Sequence, residues 1–145
     1  VLLLDRVQDP GNVGALLRAA AAFAYDAVLA LPGTADFYHE KVLRAAAGFG
    51  LNLPLLAISP AQLPALAAAG FVFIWGNPHG GTPVQQMVWP DRAALWAGNE
   101  AGGVAPDWQA GAHAVTVPSS PGVESLNVSL STAIIMAQQY LSGKD

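Results

Sequence analysis

The stretch VPSSPGVESLNVSLSTAIIMAQQY, residues 117–140, joins a polar loop to an apolar helix. Its first ten residues contain two prolines and Gly122 and follow neither a helical nor a strand period, which predicts a loop. From Val128 onward the apolar residues recur as in a buried helix, and Ser125 or Asn127 is placed to cap the first turn. Such a loop can present backbone groups to a ligand in fixed positions. Taken alone, the stretch is equally compatible with a surface loop and an ordinary capped helix.

The composition favours one compact domain with a large apolar core. Of the 145 residues, 53% are hydrophobic and only 11% are charged, against a typical charged share of about 25%. Residues 45–90 contain no Asp, Glu, Lys or Arg. Several prolines divide them into runs shorter than the roughly 18 apolar residues of a membrane span. We therefore expect buried strands and helices, no membrane segment, and a surface partly covered by a second copy of the chain.

Charge and cysteine content restrict the possible partners and location. The net charge is −4 with six Lys and Arg residues, so the chain has no basic stripe and should hold a nucleic acid weakly by itself. The absence of cysteine excludes disulfides and thiolate metal sites and fits a cytoplasmic protein. The three histidines are too far apart in sequence for helical ligand spacing, so we expect no metal. The opening run Val1-Leu-Leu-Leu4 lacks an initiator Met, which suggests an excised domain without its N-terminal substrate-binding region.

Predicted strands alternate with predicted helices along the whole chain. We expect strands at 1–4, 27–31, 55–58, 71–75, 95–97 and 114–117, and helices at 15–23, 40–47, 59–69 and after residue 127. The strands are continuously apolar, which is typical of a parallel sheet covered by helices on both faces. The sequence therefore predicts an α/β domain.

Three polar, glycine-bearing loops follow predicted strands, at residues 5–14, 97–103 and 118–127. Because ligands of α/β sheets bind at the carboxyl ends of the strands, we expect these loops to converge on one site. Their candidate functional side chains, with one arginine from the following helix, are Asn12, Arg18, Asn99, Glu100, Ser125 and Asn127.

Each of these side chains also has an ordinary structural interpretation. Arg18 can bind a phosphate or stabilise developing negative charge, or it can be a surface arginine. Glu100 can accept hydrogen bonds from a ligand or pair with Arg18, or it can be an acidic residue near a helix N-terminus. The asparagines and the serine are common turn and cap residues. Only their occurrence as a set points to a site.

Several familiar motifs are absent from the sequence. The turn Gly98-Asn-Glu-Ala-Gly-Gly103 lacks the Lys-Ser/Thr of a phosphate-binding P-loop, and Gly11-Asn-Val-Gly14 lacks the spacing of a dinucleotide fingerprint. There is no Gly-x-Ser-x-Gly nucleophile elbow. An ordinary doubly wound nucleotide-binding domain is therefore disfavoured.

Three segments, in this order, resemble the motifs of the SpoU (TrmH-like) branch of the SPOUT RNA methyltransferases. The first is Asn12-Val-Gly14 with Arg18-Ala-Ala20, the second is Gly98-Asn-Glu-Ala-Gly-Gly103, and the third is Val117-Pro118 with Glu124-Ser-Leu-Asn-Val-Ser129. The ordered triplet spans the chain and identifies residues 1–145 as a SpoU-type catalytic domain.

The resemblance implies transfer of a methyl group from S-adenosylmethionine to a ribose 2′-hydroxyl of rRNA or tRNA. It also implies a homodimer and a mostly parallel α/β sheet with a C-terminal trefoil knot. By motif position, Gly98, Val117, Leu126 and Asn127 would contact S-adenosylmethionine. The catalytic pocket would be lined by Asn12, Arg18, Glu100, Ser125 and Asn127.

The third motif departs from the common family pattern Ile-Pro-Met-x-Gly at two positions. Ser119 stands in place of Met, and Pro121 replaces Gly and so lacks an amide hydrogen. The alternative to the enzyme is a non-catalytic, dimeric, RNA-associated module that retains the fold. It would bind S-adenosylmethionine without turnover, or not at all.

Overall fold

Strands and helices alternate along the chain, as the sequence predicts. The structure, a computed structural model, describes residues 1–99, 104, 106–109 and 111–143. The strands are β1 (Leu2–Leu4), β2 (Val28–Ala30), β3 (Leu55–Ala57), β4 (Val72–Gly76), β5 (Thr82–Pro83), β6 (Ala93–Ala97) and β7 (His113–Thr116). The α-helices are α1 (Pro10–Ala22), α2 (Glu40–Ala46), α3 (Leu63–Ala68), α4 (Pro106–Gln109) and α5 (Val128–Ser142). Short 3-10 helices span Pro60–Gln62 and Val84–Gln86.

The strands form one seven-stranded sheet in the order β3-β2-β1-β6-β4-β7-β5. Every strand pairing within the described residues is parallel. Since all strands run the same way, the loops that leave β1, β6 and β7 emerge at the same edge of the sheet. The predicted parallel α/β architecture is confirmed.

Helices cover the two faces of this sheet and bury two apolar clusters. Alternate residues of the central strand β1 belong to different clusters: Leu2 and Leu4 pack with α1, α2 and α5, whereas Leu3 packs with α3 and Trp96. All three leucines are fully buried. A strand covered on both faces must be apolar throughout, which explains the continuous apolar runs in the sequence.

The first helix begins earlier than the sequence predicts, at Pro10 rather than at residue 15. Asp9 caps it, since its side-chain oxygen accepts a hydrogen bond from the backbone N–H of Asn12 at 2.8 Å. Pro10 suits the first turn because its ring fixes a helical φ angle and no amide hydrogen is needed there. The expectation of a turn through Gly14 was therefore wrong.

Gly14 allows α1 to approach α2 closely. A Cβ atom at this position would lie 2.4 Å from the Cβ of Ala45 and 2.6 Å from the carbonyl oxygen of Val42. The glycine is thus required by contact between two helices rather than by a turn.

Other differences from the predicted elements are small. The short strand β5 was not predicted, and the helix predicted at residues 59–69 starts as a 3-10 turn. The helix α4 was not predicted. Of the two candidate caps for the last helix, Asn127 is the one used.

No helix in the described part of the chain is long and apolar enough to cross a membrane.

The substitution Gly14→Ala is expected to lower the free energy of unfolding by about 1–3 kcal/mol, because its methyl group cannot fit between α1 and α2. A decrease in the free energy of unfolding would be informative, because alanine normally stabilises a helix interior by about 0.5–1 kcal/mol relative to glycine. Urea unfolding followed by circular dichroism measures the change. Gly111→Ala is the control, because nothing lies within 4 Å of its Cβ position. Unchanged stability of Gly14→Ala would contradict the packing role.

Candidate active site

A cavity of about 830 Å³ opens at the carboxyl edge of the sheet. Its wall is formed by residues 75–79 at the end of β4, by Gly98 and Asn99 after β6, by Val104 and Gln109, and by parts of the segment 115–135. A mixture of apolar side chains with a few convergent polar groups is typical of small-molecule sites, which span about 300–1,000 Å³.

The last predicted loop supplies most of the polar wall. Ser119, Glu124, Ser125, Leu126 and Asn127 all line the cavity. At the base of the loop, Val117 and the buried Val115 provide apolar surface. The stretch that the sequence singles out is therefore the main component of this site.

Asn127 has several hydrogen bonds that hold this loop and α5 in place. Its side-chain oxygen accepts from the backbone N–H groups of Ser129 at 2.9 Å and Leu130 at 3.3 Å. Its side-chain amide donates to the side-chain oxygen of Asn12 at 3.0 Å. One side chain thus caps α5 and ties it to the beginning of α1.

The loops after β1 and β6 are joined by a second set of contacts. The side-chain amide of Asn99 donates to the carbonyl oxygen of Arg6 at 3.0 Å, and the Asp5 N–H donates to the carbonyl oxygen of Ala97 at 2.9 Å. Arg6 has φ +55°, a conformation that is uncommon for a side chain of this size. These bonds hold the first two predicted loops side by side.

An ion pair between two adjacent residues lies at the start of the loop after β1. The Arg6 guanidinium donates to both oxygens of the buried Asp5 carboxylate, at 2.8 and 3.1 Å. This hydrogen bonding and the charge of Asp5 raise the pKa of Arg6. The pair therefore satisfies a buried carboxylate beside the site.

The predicted site residues differ in how they meet the cavity. Gly98, Val117, Ser125, Leu126 and Asn127 line it. Asn12 reaches it through its hydrogen bond to Asn127. Glu100 lies outside the described residues, so the predicted contact with Arg18 has no structural description.

Arg18 is exposed on α1 and is not among the residues that line the cavity. The carbon at the centre of its guanidinium lies 5.5 Å from the ring centroid of Phe49, at the distance of a cation–π contact. Phe49 is itself exposed. Arg18 and Phe49 thus form a surface pair on the α1 and α2 side of the domain.

Sequence reasoning did not assign the loop at residues 77–81 to the site. Asn77, Pro78 and His79 line the cavity, and the chain continues from them into β5. The Gly80-Gly81 pair directly after a predicted strand was the available signal, because such pairs mark loops with unusual backbone angles. The glycine pair does not show that this loop belongs to the site, because that depends on pairings between strands that are distant in sequence.

The described residues contain no group of three or more His, Cys, Asp or Glu side chains that could hold a metal ion.

Comparison with known proteins identifies related chains. The model of the SpoU rRNA Methylase family matches residues 1–137. The 23S rRNA (guanosine(2553)-2′-O)-methyltransferase RlmP of Bacillus subtilis (strain 168) is 38% identical over 139 residues, which cover 94% of this chain and 56% of that protein. The 23S rRNA (uridine(2479)-2′-O)-methyltransferase of Streptomyces viridochromogenes is 29% identical over 154 residues, covering 99% of this chain and 54% of that protein.

Solved structures agree with these sequence matches. The crystal structure of the SpoU methyltransferase AviRb from Streptomyces viridochromogenes, in complex with the cofactor AdoMet, superimposes with a TM-score of 0.89. It is 26% identical and covers 98% of this chain and 57% of that one. The chain spans about half the length of the curated relatives it matches.

Replacing Asn127 tests whether this side chain fixes the loop. We expect Asn127→Ala to lower the free energy of unfolding by about 0.5–2 kcal/mol, since α5 loses its cap. Asn127→Ser is the matched variant, because serine can cap the helix but cannot donate an amide hydrogen to Asn12. Urea unfolding should place Asn127→Ser closer to the wild type than Asn127→Ala. Equal stability of all three proteins would show that the cap contributes nothing.

Proposed function

The chain belongs to the SpoU rRNA methylase family, and from this premise we propose that it transfers a methyl group from S-adenosylmethionine to a ribose 2′-hydroxyl of rRNA or tRNA. The observation that carries the proposal is the cavity at the carboxyl edge of the sheet. Gly98 and Asn99 of the second motif and residues of the third motif line it, and the first motif is hydrogen-bonded to its wall through Asn12.

The residues of the wall fit S-adenosylmethionine in size and chemistry. The volume of about 830 Å³ lies within the range of about 300–1,000 Å³ that is typical of small-molecule sites. Apolar surface for the adenine ring of S-adenosylmethionine is offered by Val117, Leu126 and Ile135. Polar groups next to this surface are offered by Gly98 and Asn127. In this proposal Gly98, Val117, Leu126 and Asn127 hold the cofactor, with backbone groups making most of the contacts.

When bound, S-adenosylmethionine supplies a methyl group activated by a positively charged sulfur. The protein's task is then to position the ribose and to stabilise the charge that develops on its oxygen. We assign the positioning to Ser125, Asn127 and Asn12, since the first two line the cavity and the third is bonded to Asn127. Glu100 is retained as a catalytic residue on its motif position alone.

Arg18 is proposed to bind a phosphate of the RNA and stabilise the emerging alkoxide. Its exposure on α1 supports contact with a large substrate, and the planar guanidinium matches a phosphate. The alkoxide role rests on the motif position of Arg18 alone, because Arg18 does not line the cavity. A guanidinium holds its proton too tightly to serve as an easy general base.

The path of the chain supports a C-terminal trefoil knot. β7 lies between β4 and β5, so the loop 77–81 that joins β4 to β5 must cross it. The chain that leaves β7 then runs along the same cavity as that loop before it enters α5. We infer that the segment from residue 117 passes through this crossing, as in other SPOUT folds.

The net charge of −4 gives this domain little electrostatic attraction for RNA. We infer that RNA capture depends on a further substrate-binding region, for which the longer relatives have room. From the proposed ribosomal or transfer RNA substrate we infer that the protein acts in the cytoplasm.

Methyl transfer is tested with in vitro transcribed ribosomal RNA and transfer RNA, tritiated S-adenosylmethionine and mass spectrometry of the digested nucleosides. We expect a 2′-O-methylated nucleoside as product. Arg18→Ala should lower kcat/KM by about 10²-fold or more, and Arg18→Lys should retain part of the activity. Arg92→Ala is the control, since this exposed cation precedes β6 at the opposite edge.

Wild-type activity in Arg18→Ala would contradict both roles of the arginine. A folded wild-type chain that binds S-adenosylmethionine but methylates neither RNA would instead favour the non-catalytic module.

A homodimer is supported by an apolar stripe on α5. Leu130, Ile134 and Leu141 are 59%, 39% and 57% exposed, and their spacing puts them on one face of the helix. The neighbouring Val123 is also exposed. Burial of these side chains against a second copy would remove a hydrophobic surface from water.

We expect Ile134→Glu with Leu130→Glu to convert the dimer into a monomer, as measured by light scattering coupled to size-exclusion chromatography. Val88→Glu is the matched control, because Val88 is 87% exposed and lies outside α5. A dimer that persists in the double variant would show that α5 is not the interface.

A further inference from the structure

The loop Asn77–Gly81, which we call the strap loop, is anchored at both ends on the same strand. On one side the Asn77 N–H donates to the carbonyl oxygen of Val115 in β7 at 2.8 Å. On the other side β5 pairs in parallel with Val115 and Thr116. The strap loop therefore has little freedom to move away from the end of β7, where the cavity begins.

The internal contacts of the strap loop give it a defined path. The side-chain oxygen of Asn77 accepts a hydrogen bond from the His79 N–H at 3.0 Å. Gly81 has φ +124°, and a Cβ there would lie 2.6 Å from the carbonyl oxygen of Ala114. The backbone thus passes very close to β7, and the exposed His79 lies at the wall of the cavity.

Within the described part of the wall, His79 and Glu124 are the only residues with an acidic or basic side chain. The other two histidines are engaged or located elsewhere. His39 caps α2 through its Nδ1 atom, which accepts from the Lys41 N–H at 3.2 Å, and His113 begins β7 at the amino edge of the sheet. His79 is thus the histidine that the fold brings to the site.

The reaction requires a group that accepts the proton of the ribose 2′-hydroxyl. General bases work best when their pKa lies near the working pH. Imidazoles ordinarily titrate near pH 6.5, whereas glutamate carboxylates titrate near 4.3 and are weaker bases. An imidazole therefore suits this task better than the carboxylate of Glu124 or the guanidinium of Arg18.

We propose that His79 is the proton acceptor of the methyl transfer, an inference that rests on the function proposed above. The ribose 2′-oxygen forms a bond to the methyl carbon, and the carbon–sulfur bond breaks with its electron pair passing to sulfur. The proton of the hydroxyl passes to a ring nitrogen of His79, which later releases it to water. The products are the 2′-O-methyl ribose and S-adenosylhomocysteine.

The proposed role of His79 predicts an effect on ligand binding that can be measured without RNA. S-adenosylmethionine has a positive sulfur and S-adenosylhomocysteine a neutral one, while the rest of the two molecules carries the same charges. A protonated His79 close to the sulfur should repel the first ligand and not the second. The other charged side chain on the described wall is Glu124. Its effect on the binding of the two ligands must therefore be measured separately.

Calorimetric titrations of both ligands at pH 7.5 and pH 5.5 provide the test. In the wild type, the Kd of S-adenosylmethionine relative to that of S-adenosylhomocysteine should rise about three-fold at pH 5.5, as two like charges about 6 Å apart produce even in water. His79→Asn and His79→Gln should abolish the rise. His113→Asn is the matched control, and it and Glu124→Gln should retain the rise.

Kinetics give a second readout once an RNA substrate is in hand. The wild type should lose kcat/KM toward acid pH, and His79→Asn should lose that pH dependence together with about 10²–10⁴-fold of its rate. A pH-dependent Kd ratio that survives in both His79 variants, or that disappears in Glu124→Gln alone, would overturn the proposal. Failure of the folded wild type to bind either ligand would instead overturn the proposed function.

Discussion

The hydrogen bond between Asn127 and Asn12 ties the last helix to the first. The Asn127 side chain caps α5, and its amide bonds to an asparagine in the first turn of α1. At the other end of these helices, the Tyr25 hydroxyl donates to the side chain of Gln139 at 2.5 Å, and burial raises the pKa of Tyr25, so the phenol keeps its proton. With α5 fixed at both ends, the loop before it has a defined position beside the cavity.

The parallel sheet determines where the polar residues of this apolar chain can act. Parallel strands bury their side chains on both faces, so the functional groups collect in the loops at the carboxyl edge. Asp5, Asn99 and the residues around Asn127 come from distant parts of the sequence but meet there. In a chain with few charges, this concentration of polar groups distinguishes the site from the rest of the surface.

The sequence was sufficient for the α/β class, for most strands and for the loop at residues 118–127. It failed where the decisive contact is distant in sequence. Gly14 resembles a turn residue, yet its role depends on the proximity of Val42 and Ala45. The strap loop belongs to the site because β4 and β5 both pair with β7. Contacts of this kind leave no local pattern of hydropathy or turn residues.

We propose that the loops at the carboxyl edge form one S-adenosylmethionine site in each chain. Calorimetric titration of the protein with S-adenosylmethionine at neutral pH measures this binding. We expect saturable binding with one site per chain, weaker when Asn127→Ala releases the loop from α5. A folded protein that shows no binding, or whose binding is unaffected by this substitution, would contradict it.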